Sequence, residues 1–182
     1  MTQGPIVTIG IDLSKDTVYM AARMGERGKP APRWNLIEAK TRPANELITG
    51  VEMSRQFPTM EGGCSAVPVP VIEHPYLGTN KKSGAPLNPK TTEWLVRSME
   101  RVIVCFEMIG IEAKTIQPRQ WHSLLAHSGS VPTSRADIKR ASKWYVNSVL
   151  KMGIASQDMC DAICIAEWAY LQIKAGVELK QG

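Results

Sequence analysis

Over the first forty residues, short apolar and β-branched runs of strand length are separated by polar, Gly- and Pro-bearing breaks. Residues 6–12 (IVTIGID) and 17–23 (TVYMAAR) read as strands. Residues 34–39 (WNLIEA) read as a third, set off by the Gly- and Pro-rich turn GERGKPAP. Pro43 stands where a first helical turn tolerates it and opens a helix to about residue 57. PTMEGGCSAVP is then loop, and residues 69–73 (VPVIE) are a short apolar strand in which Pro70 argues for a short or bulged course. The connection HPYLGTNKKSGAPLNPKT carries too much Pro and Gly for a regular element, and loops of this length inside a domain are commonly functional. From 92 to about 109 the apolar positions return at helical spacing (Trp94, Leu95, Met99, Val102, Phe106), with Gly110 as a stop. Residues 113–117 give a fifth strand, Pro118 opens a short helix with Trp121 and Leu124, and 134–152 is a longer helix closed by Gly153. Ser156 fits the N-cap of a last helix, 157 to about 175. Three strands followed by alternating strands and helices predict an α/β fold, a mixed five-stranded sheet with helices on both faces.

The length of 182 residues suits a single domain, 1–182, and 43% apolar with 21% charged residues excludes a disordered chain. The net charge of +5 matters through its placement at Lys81-Lys82, Arg97/Arg101 and Arg135-Lys139-Arg140-Lys143. Such clusters suit an acidic polymer as partner, although solvated helix faces give the same pattern. No apolar stretch is long enough to span a bilayer and no secretory leader is visible, so the expected location is cytoplasmic, with no membrane partner. The four cysteines form no CxxC, and His74, His122 and His127 do not join them at zinc-ligand spacing.

Acids stand in unusual places. The strand IVTIGID closes on Asp12 and the strand VPVIE on Glu73, each an acid beside a core. In SQDMCDAICIAEWAYLQI, apolar nearly all round and so mostly buried, Asp158 and Asp161 stand at i and i+3 and share a face. Asp158 alone is explained by the helix macrodipole, and Glu73 alone by solvent. Together the four would converge if the two strands are neighbours and the helix packs across their ends. Oxygen-only donors select Mg²⁺ or Mn²⁺, and two such ions about 4 Å apart suit phosphodiester hydrolysis.

These residues carry a resemblance. GID-S on the first strand, IE followed by an aromatic and a polar loop, and D-x-x-D-A on the last helix resemble, in order, the RuvC-type Holliday junction resolvases of the RNase H-like superfamily. IQPRQWHSLLA is similar to the strand, Pro, basic residue and Trp of phage members. The resemblance covers almost the whole chain. It implies a homodimeric Mg²⁺-dependent endodeoxyribonuclease that nicks opposed strands of a four-way DNA junction, leaving 5′-phosphates, in the host cytoplasm if the chain is of phage origin. It also implies that Asp12, Glu73, Asp158 and Asp161 are the catalytic metal ligands, with two ions per site. Lysines assist catalysis in bacterial members, and Lys114 and Lys139 are the candidates here, with His74 beside Glu73 as a further assisting residue.

For DNA, Tyr76 falls where the family places an aromatic that stacks on a base at the junction centre; filling a gap under the loop is its other reading. Asn80, Lys81 and Lys82 would face phosphate, with Arg119 on the Pro118 helix and Arg135, Lys139, Arg140 and Lys143 along a basic helix edge. Trp121, Trp144 and Trp168 read as core, and the helix with Met99, Cys105 and Met108 as core or dimer seam. Three rivals remain. Another nuclease of the same fold would act on branched or flap DNA or RNA hybrids, and a non-catalytic DNA-binding relative would lack an acid. An actin-like ATP-binding fragment would use GIDLSKDT as a phosphate turn, but Leu13-Ser14 stands where a glycine would let backbone approach phosphate.

Overall fold

The computed structural model describes residues 5–14, 16–25, 32–42, 44–60 (backbone alone from 57), 66–75, 88–126 and 131–179. The strands are β1 (Ile6–Leu13), β2 (Thr17–Gly25), β3 (Arg33–Lys40), β4 (Val69–Glu73) and β5 (Lys114–Ile116). The helices are α1 (Ala44–Met60), α2 (Pro89–Met108), α3 (Pro118–His122), α4 (Arg135–Trp144) and α5 (Gln157–Lys174). One five-stranded sheet runs β3-β2-β1-β4-β5. β1 and β3 flank β2 antiparallel, and β4 runs parallel to both β1 and β5. The expected mixed sheet is present, and β1 and β4 are central neighbours.

Strand alternation sends successive side chains to opposite faces. Val7, Ile9 and Ile11 of β1 join Leu47 and Val51 of α1 and Met99, Val102 and Phe106 of α2 in one buried cluster. On the other face Ala21 and Val71 pack with Trp121, Val146 and the long apolar stretch of α5. Both faces therefore carry helices. Gly10 sets the closest contact: a Cβ there would lie 2.0 Å from the Ala162 carbonyl oxygen and 2.4 Å from the Ala166 nitrogen. The backbones of β1 and α5 thus approach without an intervening side chain, and the Thr8 hydroxyl donates to the Ala166 carbonyl at 2.8 Å. Farther along, Arg23 of β2 pairs with Glu167 of α5 in the interior, its guanidinium 3.4 Å from the centre of the Tyr170 ring.

Several boundaries differ from the sequence expectation. α1 continues to Met60, through Pro58. α2 begins at Pro89, three residues early, because Asn88 caps it by accepting from the Lys90 N–H at 3.1 Å and Pro89 fits the first helical position. β4 holds register from Val69 to Ile72 against β1 without a bulge at Pro70, and β5 pairs only with Val71 to Glu73. β5 has three residues rather than five. The helix expected over 134–152 ends at Trp144 and passes into a wider π-turn, Tyr145–Val149. There the Asn147 amide clamps both backbone groups of Ile154, at 2.8 and 2.6 Å, folding the chain back toward α5. That turn leaves Trp144 46% exposed, against the expectation of a core residue, while Trp121 and Trp168 are buried. Among the described residues no helix is long and apolar enough to cross a membrane.

Candidate metal centre

Two structural choices bring the acids together. β1 and β4 run side by side, Ile11 opposite Ile72, so Asp12 and Glu73 both emerge at the same end of the sheet. α5 then starts over that end, capped by the Ser156 hydroxyl, which accepts from the Met159 N–H at 3.3 Å. The contact at Gly10 draws its first turns against β1. As a result, carboxylate oxygens of Asp12, Asp158 and Asp161 all lie within 4.8 Å of one another, each residue half-buried. Glu73 stands beside this trio, near enough that its charge acts on Asp12.

Each acid is held differently. The Trp121 indole N–H donates to Glu73 Oε2 at 2.5 Å. Asp161 Oδ1 accepts from the Ser142 hydroxyl at 2.5 Å and from the Gln157 amide at 3.0 Å, and that amide also reaches Ser142 Oγ at 2.7 Å. Burial, then repulsion from Glu73, Asp161 and Asp158, raises the proton affinity of Asp12 well above the usual carboxylate range. Burial also pushes Glu73 up to about 7, against the Trp121 bond, with Asp161 adding to the rise and Arg135 opposing it. Asp161 is pushed up to about 6, again mainly by burial, while Ser142, Gln157 and Lys139 favour its ionised form. Tyr19, opposite Asp12 in register, has its phenol raised by burial first and then by Glu38, Asp158 and Asp12.

The cluster is thus a set of oxygen donors in which neighbouring carboxylate charges raise the proton affinity of Asp12, Glu73 and Asp161. Arg135 and Lys139 offset them from a distance, and among the described residues neither forms an ion pair with these acids. A hard divalent cation is the partner such a donor set fits.

The remaining sequence candidates divide. Arg135 and Lys139, one turn apart on α4, place their charges toward Glu73 and Asp161 respectively. Arg140 pairs with Asp137 of the same helix, and Lys143 and Arg119 are exposed. Lys114 Nζ lies 2.5 Å from Glu112. The His74 N–H extends the sheet ladder to the Ile116 carbonyl at 2.8 Å, and its Nδ1 is 2.9 Å from the Pro75 carbonyl oxygen. Tyr76, Asn80, Lys81 and Lys82 lie outside the described residues. Four contributors were not singled out from sequence: Gly10, Trp121 as a donor, Ser142 and Gln157. Gly10 sits inside the GID motif, and Trp121 follows the fifth strand by a fixed short turn. Ser142 and Gln157 carried no signal, since their meeting depends on how α4 and α5 cross.

No family model matches the chain, and no curated protein matches it. Solved structures do. RuvC of Thermus thermophilus superposes over 94% of this chain and 98% of its own, with TM-score 0.61 and 16% identity. The same protein in complex with a Holliday junction substrate gives 0.56 and 14% over 94% and 96%. A Fowlpox virus resolvase with its substrate Holliday junction DNA gives 0.50 and 8% over 93% and 99%. At these identities the likeness speaks to architecture: the chain has the RNase H-like fold of RuvC, along nearly its full length.

Proposed function

We propose that this protein is a divalent-metal-dependent endonuclease that resolves four-way DNA junctions. The observation that carries this reading is the convergence of Asp12, Asp158 and Asp161 within 4.8 Å, with Glu73 alongside, on a fold shared with two junction-bound resolvases. The three aspartates would hold Mg²⁺ or Mn²⁺, with Glu73 completing a two-ion set. Bound there, such ions supply an activated water and charge stabilisation for the leaving oxygen.

The chain's own groups do the rest. Ser142 and Gln157 fix Asp161, so one of its oxygens is already committed when DNA arrives. The charges of Arg135 and Lys139 lie beside an otherwise acidic site, where they would draw in a phosphate that the carboxylates repel. Of the two lysine candidates, Lys139 is the better placed to assist, because Lys114 is engaged by Glu112. Tyr76, Asn80, Lys81 and Lys82 complete the DNA surface in this reading, together with Arg119, Arg140 and Lys143. Two opposed nicks require two such sites facing one junction, so the active species in this reading is a homodimer; 5′-phosphate products are what the resemblance to the resolvases implies. Side-by-side assays on junction, fork, flap and linear duplex with Mg²⁺ test the reading. Paired symmetric nicks in the junction support it. Preferential cutting of forks or flaps would move the protein to another nuclease of the same fold.

A further inference from the structure

The strand-to-helix turn after β5 does more than close the sheet. β5 lies beside β4 with Ile116 opposite Glu73, and Pro118 begins α3 two residues later. A reciprocal cap fixes that turn: the Gln117 N–H donates to Gln120 Oε1 at 2.6 Å, and the Gln120 N–H to the Gln117 carbonyl at 2.9 Å. Trp121 is thereby carried back over the end of β4. Trp121 is 2% exposed, its ring sits edge-on to His122 with centroids 4.4 Å apart, and it belongs to the same buried cluster as α5. A buried indole N–H needs an acceptor, and here that acceptor is the side chain of Glu73. Among the described residues Trp121 is the only hydrogen-bond partner of that carboxylate, and it engages Oε2 alone.

We propose that Trp121 is a positioning residue for Glu73: its indole N–H holds Oε2 and leaves Oε1 as the oxygen available to a divalent cation. The proposal rests on the metal-centre reading and deepens it. A neutral donor suits the task, because it orients a carboxylate without contributing a positive charge that would compete with the cation. A ring fixed in the core between sheet and helices cannot swing away, so Glu73 keeps one rotamer whether or not DNA is bound.

The test uses the full-length protein without DNA first. Titration calorimetry with Mn²⁺ compares wild type, Trp121→Phe and Glu73→Gln. Loss of a partner that orients a ligand weakens metal binding about 10- to 100-fold. Trp121→Phe should fall in that range while circular dichroism and junction affinity stay near wild type. A second readout does not depend on Trp121→Phe folding. The chain has five tryptophans, hence five indole N–H signals in a ¹⁵N spectrum. The Trp121 signal, assigned through its contacts to His122, should move on adding Mg²⁺ to the wild type and lose that response in Glu73→Gln. A merely structural indole would ignore Mg²⁺ in the wild type. If Trp121→Phe binds Mn²⁺ as wild type does, or the Trp121 signal of the wild type ignores Mg²⁺, the proposal is overturned. Failure of the wild-type protein to bind Mn²⁺ would overturn it together with the metal-centre reading. Binding that shows the Trp121 effects without junction cleavage would support Trp121 and overturn the resolvase function alone.

Discussion

Replacing Gly10 by Ala adds one methyl group to a strand, a change that is stabilising by about 0.4–1 kcal/mol where the backbone allows it. Gly10 is not in the left-handed region, so its conformation poses no obstacle. The obstacle is α5. The new Cβ would sit 2.0 Å from the Ala162 carbonyl oxygen and 2.4 Å from the Ala166 nitrogen, both backbone atoms that no rotamer can move. Ordinary contact starts near 3.4 Å, so α5 must lift by about 1.4 Å or tilt by a comparable amount. Overpacking of this kind costs about 1–3 kcal/mol, and the Thr8–Ala166 hydrogen bond that would stretch is worth about 1 kcal/mol more. The steric term therefore wins, and Gly10→Ala should lose about 2 kcal/mol in urea unfolding. Because the lifted helix carries Asp158 and Asp161 away from Asp12, Mn²⁺ affinity should fall with it. A Gly10→Ala protein of unchanged stability and unchanged Mn²⁺ affinity would refute the argument that this contact builds the site.

Further outcomes follow from the same reading. Glu73 and Asp161 titrate above their unfolded values, so the folded metal-free protein holds protons that the unfolded chain has released. Their destabilising effect is absent below about pH 4, grows as pH rises, and is complete once pH passes about 7; melting in EDTA should therefore be higher at pH 5 than at pH 7.5, and a flat profile would contradict the burial of these acids. Mg²⁺ should reverse that trend at pH 7.5, because it binds only the ionised, folded cluster. Glu167→Gln should cost about 3–5 kcal/mol by leaving the Arg23 guanidinium unpaired in the core, read as a shift of the urea midpoint; a cost under 1 kcal/mol would mean the pair is dispensable. Outside the described residues, Tyr76→Ala should reduce selectivity for junction over duplex, whereas a Lys81→Ala/Lys82→Ala protein should bind all DNA more weakly with a shallower salt dependence; identical defects would remove the stacking role assigned to Tyr76.

The sheet and its two helical faces were legible because strand and helix periods differ and each element is bounded by Pro, Gly or a capping residue. Asp12, Glu73, Asp158 and Asp161 were legible for a related reason: acids interrupt otherwise apolar elements at positions where burial makes them expensive. What could not be read was the geometry between elements. The Ser142–Asp161–Gln157 network depends on the crossing of α4 over α5, which in turn depends on the π-turn and the Asn147 clamp. A uniform helical pattern over 134–152 gives no sign of that turn, so it reads Trp144 as core, whereas the structure leaves Trp144 half-exposed. The buried Arg23–Glu167 pair is not legible in sequence because each residue alone looks like an ordinary surface charge, and only the packing of α5 on β2 joins them.

Junction cleavage by wild type and Asp12→Asn, in Mg²⁺ and in EDTA, with junction binding measured on the same samples, tests the central claim most directly. Asp12 stands at the centre of the cluster, its proton affinity raised by all three other acids. The account predicts Mg²⁺-dependent paired nicks by the wild type. It predicts a loss of more than about 100-fold in Asp12→Asn, beyond the cost of losing an outer partner of a metal ligand. Junction affinity should be retained or improved, since a negative charge next to phosphate has gone. Cleavage that persists in EDTA, or near-normal cleavage by Asp12→Asn, would contradict it.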